Sequence, residues 1–411
     1  MSSSSPLRAA FLGLLLAVGM GVMAPLDLLS AQQPQVRSSD PELEELAAEL
    51  LPDLAARAGM ELREPVRLEK RSRSQLVSYL EAKLDEELPT EEARRDVAAY
   101  HLLGLVPEDL DLREVLLALY TEQVAGFYEP DSTALFILED QPPEALQGLL
   151  VHELVHAVQD QSADLPAITD PERGNDRATA AHAAVEGHAT LVMLEFLTEQ
   201  LQGRPVDLAE VPDFSETLRP ALEGMRQQFP ALAGAPRVIQ ESLLFPYLEG
   251  AGFVQRLWVR EGRVPPFGDY LPASTEQVLE GDLSDAPLDV RLELPGGWTV
   301  LDSDDLGRLE LEILLATHVG DAAATRAVGW GGDRFALVEG PDGSSGLLLA
   351  VAWDDAAARN GFVAELTPHL GGFPRPATLR SVPEAAAPTA LLRVGVPDDI
   401  VVTVTVEAGG R

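Results

Sequence analysis

Between residues 149 and 161 the chain reads Leu149-Leu150-Val151-His152-Glu153-Leu154-Val155-His156-Ala157-Val158-Gln159-Asp160-Gln161. Pro142 and Pro143 precede it, and proline is tolerated in a first helical turn. The spacing therefore predicts one helix from there to about Gln161. Residues four apart in a helix stand one turn above each other, roughly 6 Å apart, so His152 and His156 aim two imidazoles at one point. Glu153 is rotated by about 100° from His152, which sends its carboxylate to a metal-bound water rather than to the metal. The residues between are uncharged, so this helix is expected to be buried around its metal face. Two histidines merely packed beside a glutamate would each need a buried partner, which makes the bland explanation the poorer one.

Two imidazoles are too few for a catalytic zinc, which takes three protein ligands and leaves one position for water. No His-x-x-Gly-x-x-His continuation follows His156, because Val158 to Ser162 come next, so the third ligand is remote. The following helix, expected from about Asp176 to Leu201, carries His182, Glu186 and His188. His182 and Glu186 are four apart and face one way, so either can complete the set. His188 lies about 200° from Glu186 and is expected away from the metal. Thr190, Asp160 and Gln161 are candidates for orienting a ligand imidazole. Gly187 is expected to permit a close helix approach.

These two segments together resemble the zincin superfamily of metallopeptidases, and within it the glutamate-ligand gluzincins, over roughly residues 125 to 200. The resemblance implies that His152, His156 and Glu186 bind Zn2+, that Glu153 is the general base, and that Ala134–Leu138 is an edge strand for an extended substrate. More narrowly, the chain resembles a group of exported bacterial proteins combining HELxHAxQDQ, EGxAT, PxSTEQ and WGGDR. Here those motifs are His152 to Gln161, Glu186 to Thr190, Pro272 to Gln277 and Trp330 to Arg334.

The composition bounds what surrounds this site. The chain has 411 residues, 46% hydrophobic and 24% charged, which fits two to three folded units with a real core. There is no cysteine, so disulfides and thiolate chemistry are excluded and any metal must rest on His and carboxylates. A net charge of −37 makes nucleic acid a poor partner. Arg8 followed by the apolar run Ala9 to Ala24 reads as a signal peptide over 1–31, with Ala24 or Ala31 as cleavage points, or as an uncleaved anchor that would be the chain's one membrane contact.

The expected architecture is α+β: a helical region over 32–124, a helix-rich zincin-like core with a small edge sheet over 125–289, and an α+β C-terminal module over 290–411. GFYEP and ALFIL read as strands around a turn at Pro130 to Ser132. Pro52 is expected to bend or end the first helix, and Gln240 to Arg260 to form a helix on the far wall of the cleft. Tyr247, read as lying near that helix's start, is the preferred oxyanion donor, with His182, Tyr270 and His318 as alternatives. The groups Asp302, Asp304, Asp305 and Asp170, Asn175, Asp176 do not match a calcium loop and read as solvated turns. Trp330 to Arg334 reads as a tight turn into a strand. The function expected is that of an exported zinc metallopeptidase acting on peptide or protein through water activated by Glu153. The alternative is a catalytically silent zinc-binding scaffold or peptide-binding protein of the cell envelope.

Overall fold

The computed structural model describes residues 36–211, 219–220, 224 and 229–409. The apolar N-terminal run and its two cleavage points lie outside the described residues. Among the described residues no helix is long and apolar enough to cross a membrane.

The fold is mixed α+β. It opens with β1 (Val36–Ser38), α1 (Pro41–Arg57), β2 (Val66–Arg71), α2 (Arg73–Glu87), α3 (Thr90–Leu102) and α4 (Leu112–Gln123). Asp40 caps α1 by accepting from the backbone amides of Glu42 and Leu43 at 3.0 and 3.2 Å. Leu43, Ala47, Leu50, Leu51 and Leu54 form its buried stripe. Pro52 stays inside this helix rather than ending it. Ser72 and Gln75 form a capping box at the start of α2.

β3 (Gly126–Glu129) and β4 (Ala134–Leu138) form the expected antiparallel hairpin, with Phe127 opposite Phe136. The four-stranded sheet runs β1-β2-β4-β3, with β1, β2 and β4 parallel. Ala134–Leu138 is therefore interior, and Gly126–Glu129 is the edge strand. The correction follows from topology: β2, which reads in isolation as a short extended piece, pairs with the open side of β4.

From β4 the chain enters α5 (Pro143–Ala163), the metal helix, which lies against β3, β4 and α1. The short α6 (Leu165–Ile168) leads to α7 (Asn175–Gln202), and α8 (Pro230–Gly234) to α9 (Arg237–Glu261). Helices α7 and α9 form the most extensive helix pair in the molecule. A Cβ on Gly187 would lie 2.0 Å from the Gly250 carbonyl carbon, and one on Gly250 would lie 2.1 Å from the Ala183 oxygen. Glycine is thus required on both helices. Pro246 and Tyr247 lie inside α9, and Tyr247 is not near its start.

Beyond α10 (Thr275–Glu280) come β5 (Leu288–Glu293), β6 (Thr299–Asp304), α11 (Gly307–His318), β7 (Trp330–Glu339), β8 (Ser345–Trp353), α12 (Ala356–Leu366), β9 (Ala377–Val382), β10 (Thr389–Val394) and β11 (Thr403–Ala408). The antiparallel sheet β6-β7-β8-β10-β9 is buried on both faces. Phe335, Leu337, Leu347, Leu349 and Val351 join the main core, while Ala336, Val338, Leu348 and Ala350 pack under the β5–β11 ribbon. The main core runs without a break from Val36 to Val394. Trp330 to Arg334 belongs to β7 itself, with a register shift between Trp330 and Gly332, and is not a turn before it.

Three of the acids read as solvated turns, Asp176, Asp304 and Asp305, instead bond amides of other segments. Asp304 accepts from the Asn175 amide at 3.2 Å and Asp305 from the Asp176 amide at 2.7 Å, closing the N-terminus of α7. Asp333 accepts from the amides of Leu306 and Gly307 at 2.8 and 2.9 Å and from the Trp330 indole at 2.8 Å, closing α11. Asp176 accepts from the amide and hydroxyl of Thr275. PxSTEQ and WGGDR thus meet at one joint. Asp170, in contrast, caps its own short turn by accepting from the Glu172 amide.

Candidate metal centre

Helix α5 presents His152 and His156 to Glu186 on α7. The Nε2 atoms of the two imidazoles are 3.0 Å apart, and Glu186 Oε2 is 3.0 Å from His152 Nε2 and 3.4 Å from His156 Nε2. Tetrahedral coordination with bonds of about 2.0–2.1 Å has ligand-to-ligand edges of about 3.3 Å, so these three atoms fit one small cation. All three residues are buried, and among the described residues they are the one group of three or more His, Cys, Asp or Glu side chains arranged to hold a metal ion. The acids at the joint form no such group.

The electrostatics agree. Burial disfavours charge on Glu186, yet the two imidazoles outweigh it and hold its carboxyl well below the usual range. Burial likewise opposes charge on His156, but the Glu186 carboxylate raises its pKa to about 9. His152 is pushed down, chiefly by burial. Without a metal, a proton on His156 stands as the counter-charge to Glu186, which is the role a cation would take.

Glu153 is fully buried, and neither carboxylate oxygen has a hydrogen-bond partner. Burial raises its pKa to about 8, with His156 pulling it down and Glu186 pushing it further up. The Tyr128 amide on β3 also pulls it down, which places the edge strand beside this carboxyl.

His182 is not in the donor group. Its Nδ1 donates to the Ala178 carbonyl at 2.8 Å, and burial lowers its pKa to about 4, so the ring is neutral. Tyr247 on α9 is buried with its ring centroid 6.2 Å from that of His152. Tyr270 lines a separate cleft with Arg173, Arg177 and Pro272. His318 bonds the Leu103 carbonyl at 2.7 Å and stacks on Phe373.

Of the residues considered for orienting an imidazole, Thr190 has a buried hydroxyl with no hydrogen-bond partner. Asp160 accepts from the Tyr128 hydroxyl at 2.9 Å, and Gln161 accepts from the amides of Arg63 and Glu64. The residue that touches a ligand is Gln159, whose Oε1 lies 2.8 Å from His156 Nδ1. Its position three residues after His156, on the same helical face, is the signal that marks it. No protein-family model, no curated protein and no solved structure matches this chain.

Proposed function

We propose that this protein is an exported zinc-dependent metallopeptidase. The observation that carries the reading is the buried carboxyl of Glu153, without a hydrogen-bond partner, next to three convergent metal donors. Zinc held by His152, His156 and Glu186 would polarise a substrate carbonyl and acidify water. A cation there would favour the ionised form of Glu153, whose oxygen would take the proton of the attacking water and pass it to the departing amide nitrogen.

His182 has already given its Nδ1 hydrogen to Ala178, so its Nε2 can only accept. The donor to the developing oxyanion that this reading assigns is Tyr247, whose ring lies beside that of His152. The edge strand β3, beside Glu153, is the strand on which an extended peptide would add. Export is supported by the apolar run from Ala9 to Ala24. A silent scaffold has no use for Glu153, and a structural zinc site usually fills all four positions with protein donors.

The test is zinc content together with hydrolysis of unstructured peptides, for the wild type and Glu153→Gln. One equivalent of zinc in both, with hydrolysis in the wild type alone, is expected. Zinc in both without hydrolysis in either would favour the scaffold, and absence of zinc from both would end the metal reading.

A further inference from the structure

We infer that Gln159 is the positioning residue of the metal centre, fixing the tautomer and ring orientation of His156 and tying that ligand to the helix that carries Glu186. The inference rests on the metal-centre reading above. Gln159 is fully buried. Its Oε1 is 2.8 Å from His156 Nδ1, and its Nε2 is 3.0 Å from the Val185 carbonyl and 3.1 Å from His188 Nδ1.

These three contacts admit one arrangement of protons. The Val185 carbonyl can only accept, so the amide nitrogen must face it, which places the Gln159 carbonyl on His156. Nδ1 of His156 then carries the hydrogen that goes to Gln159, so Nε2, towards His152 and Glu186, is the nitrogen that would give up its proton and bind a cation. The reversed amide would set two carbonyl oxygens against each other and would demand the proton on Nε2, removing that nitrogen as a ligand. The second amide hydrogen goes to His188 Nδ1, and the His188 ring is held edge-on by Trp258 and Phe267 at 5.9 and 6.0 Å.

Val185 immediately precedes Glu186, so one side chain from α5 holds an α5 ligand and grips the α7 backbone beside the other ligand. Nδ1 of His152 has no hydrogen-bond partner. Side-chain orientation of the imidazole pair therefore falls on Gln159.

The metal-free full chain would be titrated with Zn2+ and with Co2+ against a chromophoric chelator, for wild type, Gln159→Leu, Gln159→Asn and Gln159→Glu. Gln161→Leu serves as the control. Loss of an outer partner typically weakens metal binding about 10- to 100-fold, and that loss is expected for Leu and for Asn, whose shorter chain withdraws the acceptor. Glu keeps an acceptor against His156 but loses the donation to the Val185 carbonyl, so it is expected to lose affinity, though less than Leu or Asn, while the control is expected to match the wild type. The Co2+ visible spectrum should change with Leu and Asn, reporting altered ligand geometry.

A merely structural role gives the reverse order, with the amide of Asn tolerated best and metal affinity unmoved. Wild-type affinity in folded Leu and Asn variants would overturn the inference. If Leu does not fold, the order of Asn and Glu decides. A wild type that binds neither metal would overturn the metal reading itself, an outcome separate from all of these.

Discussion

Gly187→Ala tests whether the α7–α9 contact sets the metal site. The added methyl would lie 2.0 Å from the Gly250 carbonyl carbon, 2.3 Å from its oxygen and 2.5 Å from the Ala251 nitrogen. Ordinary contact begins at 3.4 Å, so the helices must part by about 1.4 Å. Alanine gains about 0.5–1 kcal/mol over glycine within a helix. Overpacking costs about 1–3 kcal/mol, and here the obstacle is backbone, which no rotamer change relieves, so the upper end applies. The net expectation is a loss of about 2 kcal/mol. Because Glu186 is the neighbouring residue, a shift of this size exceeds the roughly 0.2 Å tolerance of a metal site, and metal affinity should fall at least about tenfold. Denaturant midpoints and chelator competition read the two effects. Gly148→Ala on α5 is the control, since its methyl meets Leu197 alone, at 3.6 Å, and should be neutral or stabilising. Wild-type stability and affinity in Gly187→Ala would refute the argument that this close approach positions Glu186.

Two further outcomes follow from the geometry. Burial raises Glu310 to about 8 and Asp333 to about 7, from 4.5 and 3.8. Both folded values lie above the unfolded ones, so their contribution is complete below about pH 4 and is lost as pH rises through 7 to 8. The folded chain should therefore lose a few kcal/mol between pH 5 and 8, and Glu310→Gln, which keeps an acceptor for Tyr100, should flatten that slope. Denaturant titrations across this range check it, and stability that rises with pH would contradict it. Tyr247→Phe should lower turnover by about 100-fold while zinc content stays intact. Unchanged turnover would remove this hydroxyl from the reaction.

The parts legible in the sequence were those fixed by local rules. Helical spacing brought out His152 and His156, the four-residue step placed Glu186 and His182 on one face, and the turn between GFYEP and ALFIL gave the hairpin. Choosing between Glu186 and His182 needed more, because helical phase alone does not say which carbonyl takes a ring hydrogen, and Ala178 claims that of His182. Strand order failed for a related reason. Whether β4 is an edge depends on β2, more than sixty residues earlier in the chain. The acids at 304 and 305 look like solvated turns because a cap on another segment's amides leaves no periodic trace in its own sequence. Pro246 suggested a helix start, yet tertiary packing around α9 carries the helix through it.

Glu153 separates a peptidase from a scaffold on physical grounds. On α5 it sits between His152 and Leu154, fully buried, with no close hydrogen-bond partner for either carboxylate oxygen and the Tyr128 amide beside it. A buried polar group left without partners costs about 1–3 kcal/mol, a large part of the net stability of a typical domain. Leucine at this position would carry no such cost. Several other buried acids among the described residues serve the fold: Glu195 pairs with Arg263, Asp333 caps α11, and Glu310 accepts from Tyr100. A carboxyl that weakens the fold and sits beside three potential metal donors is the group that proton transfer at a bound metal would require, and this contrast with Glu195, Asp333 and Glu310 is what supports the peptidase reading.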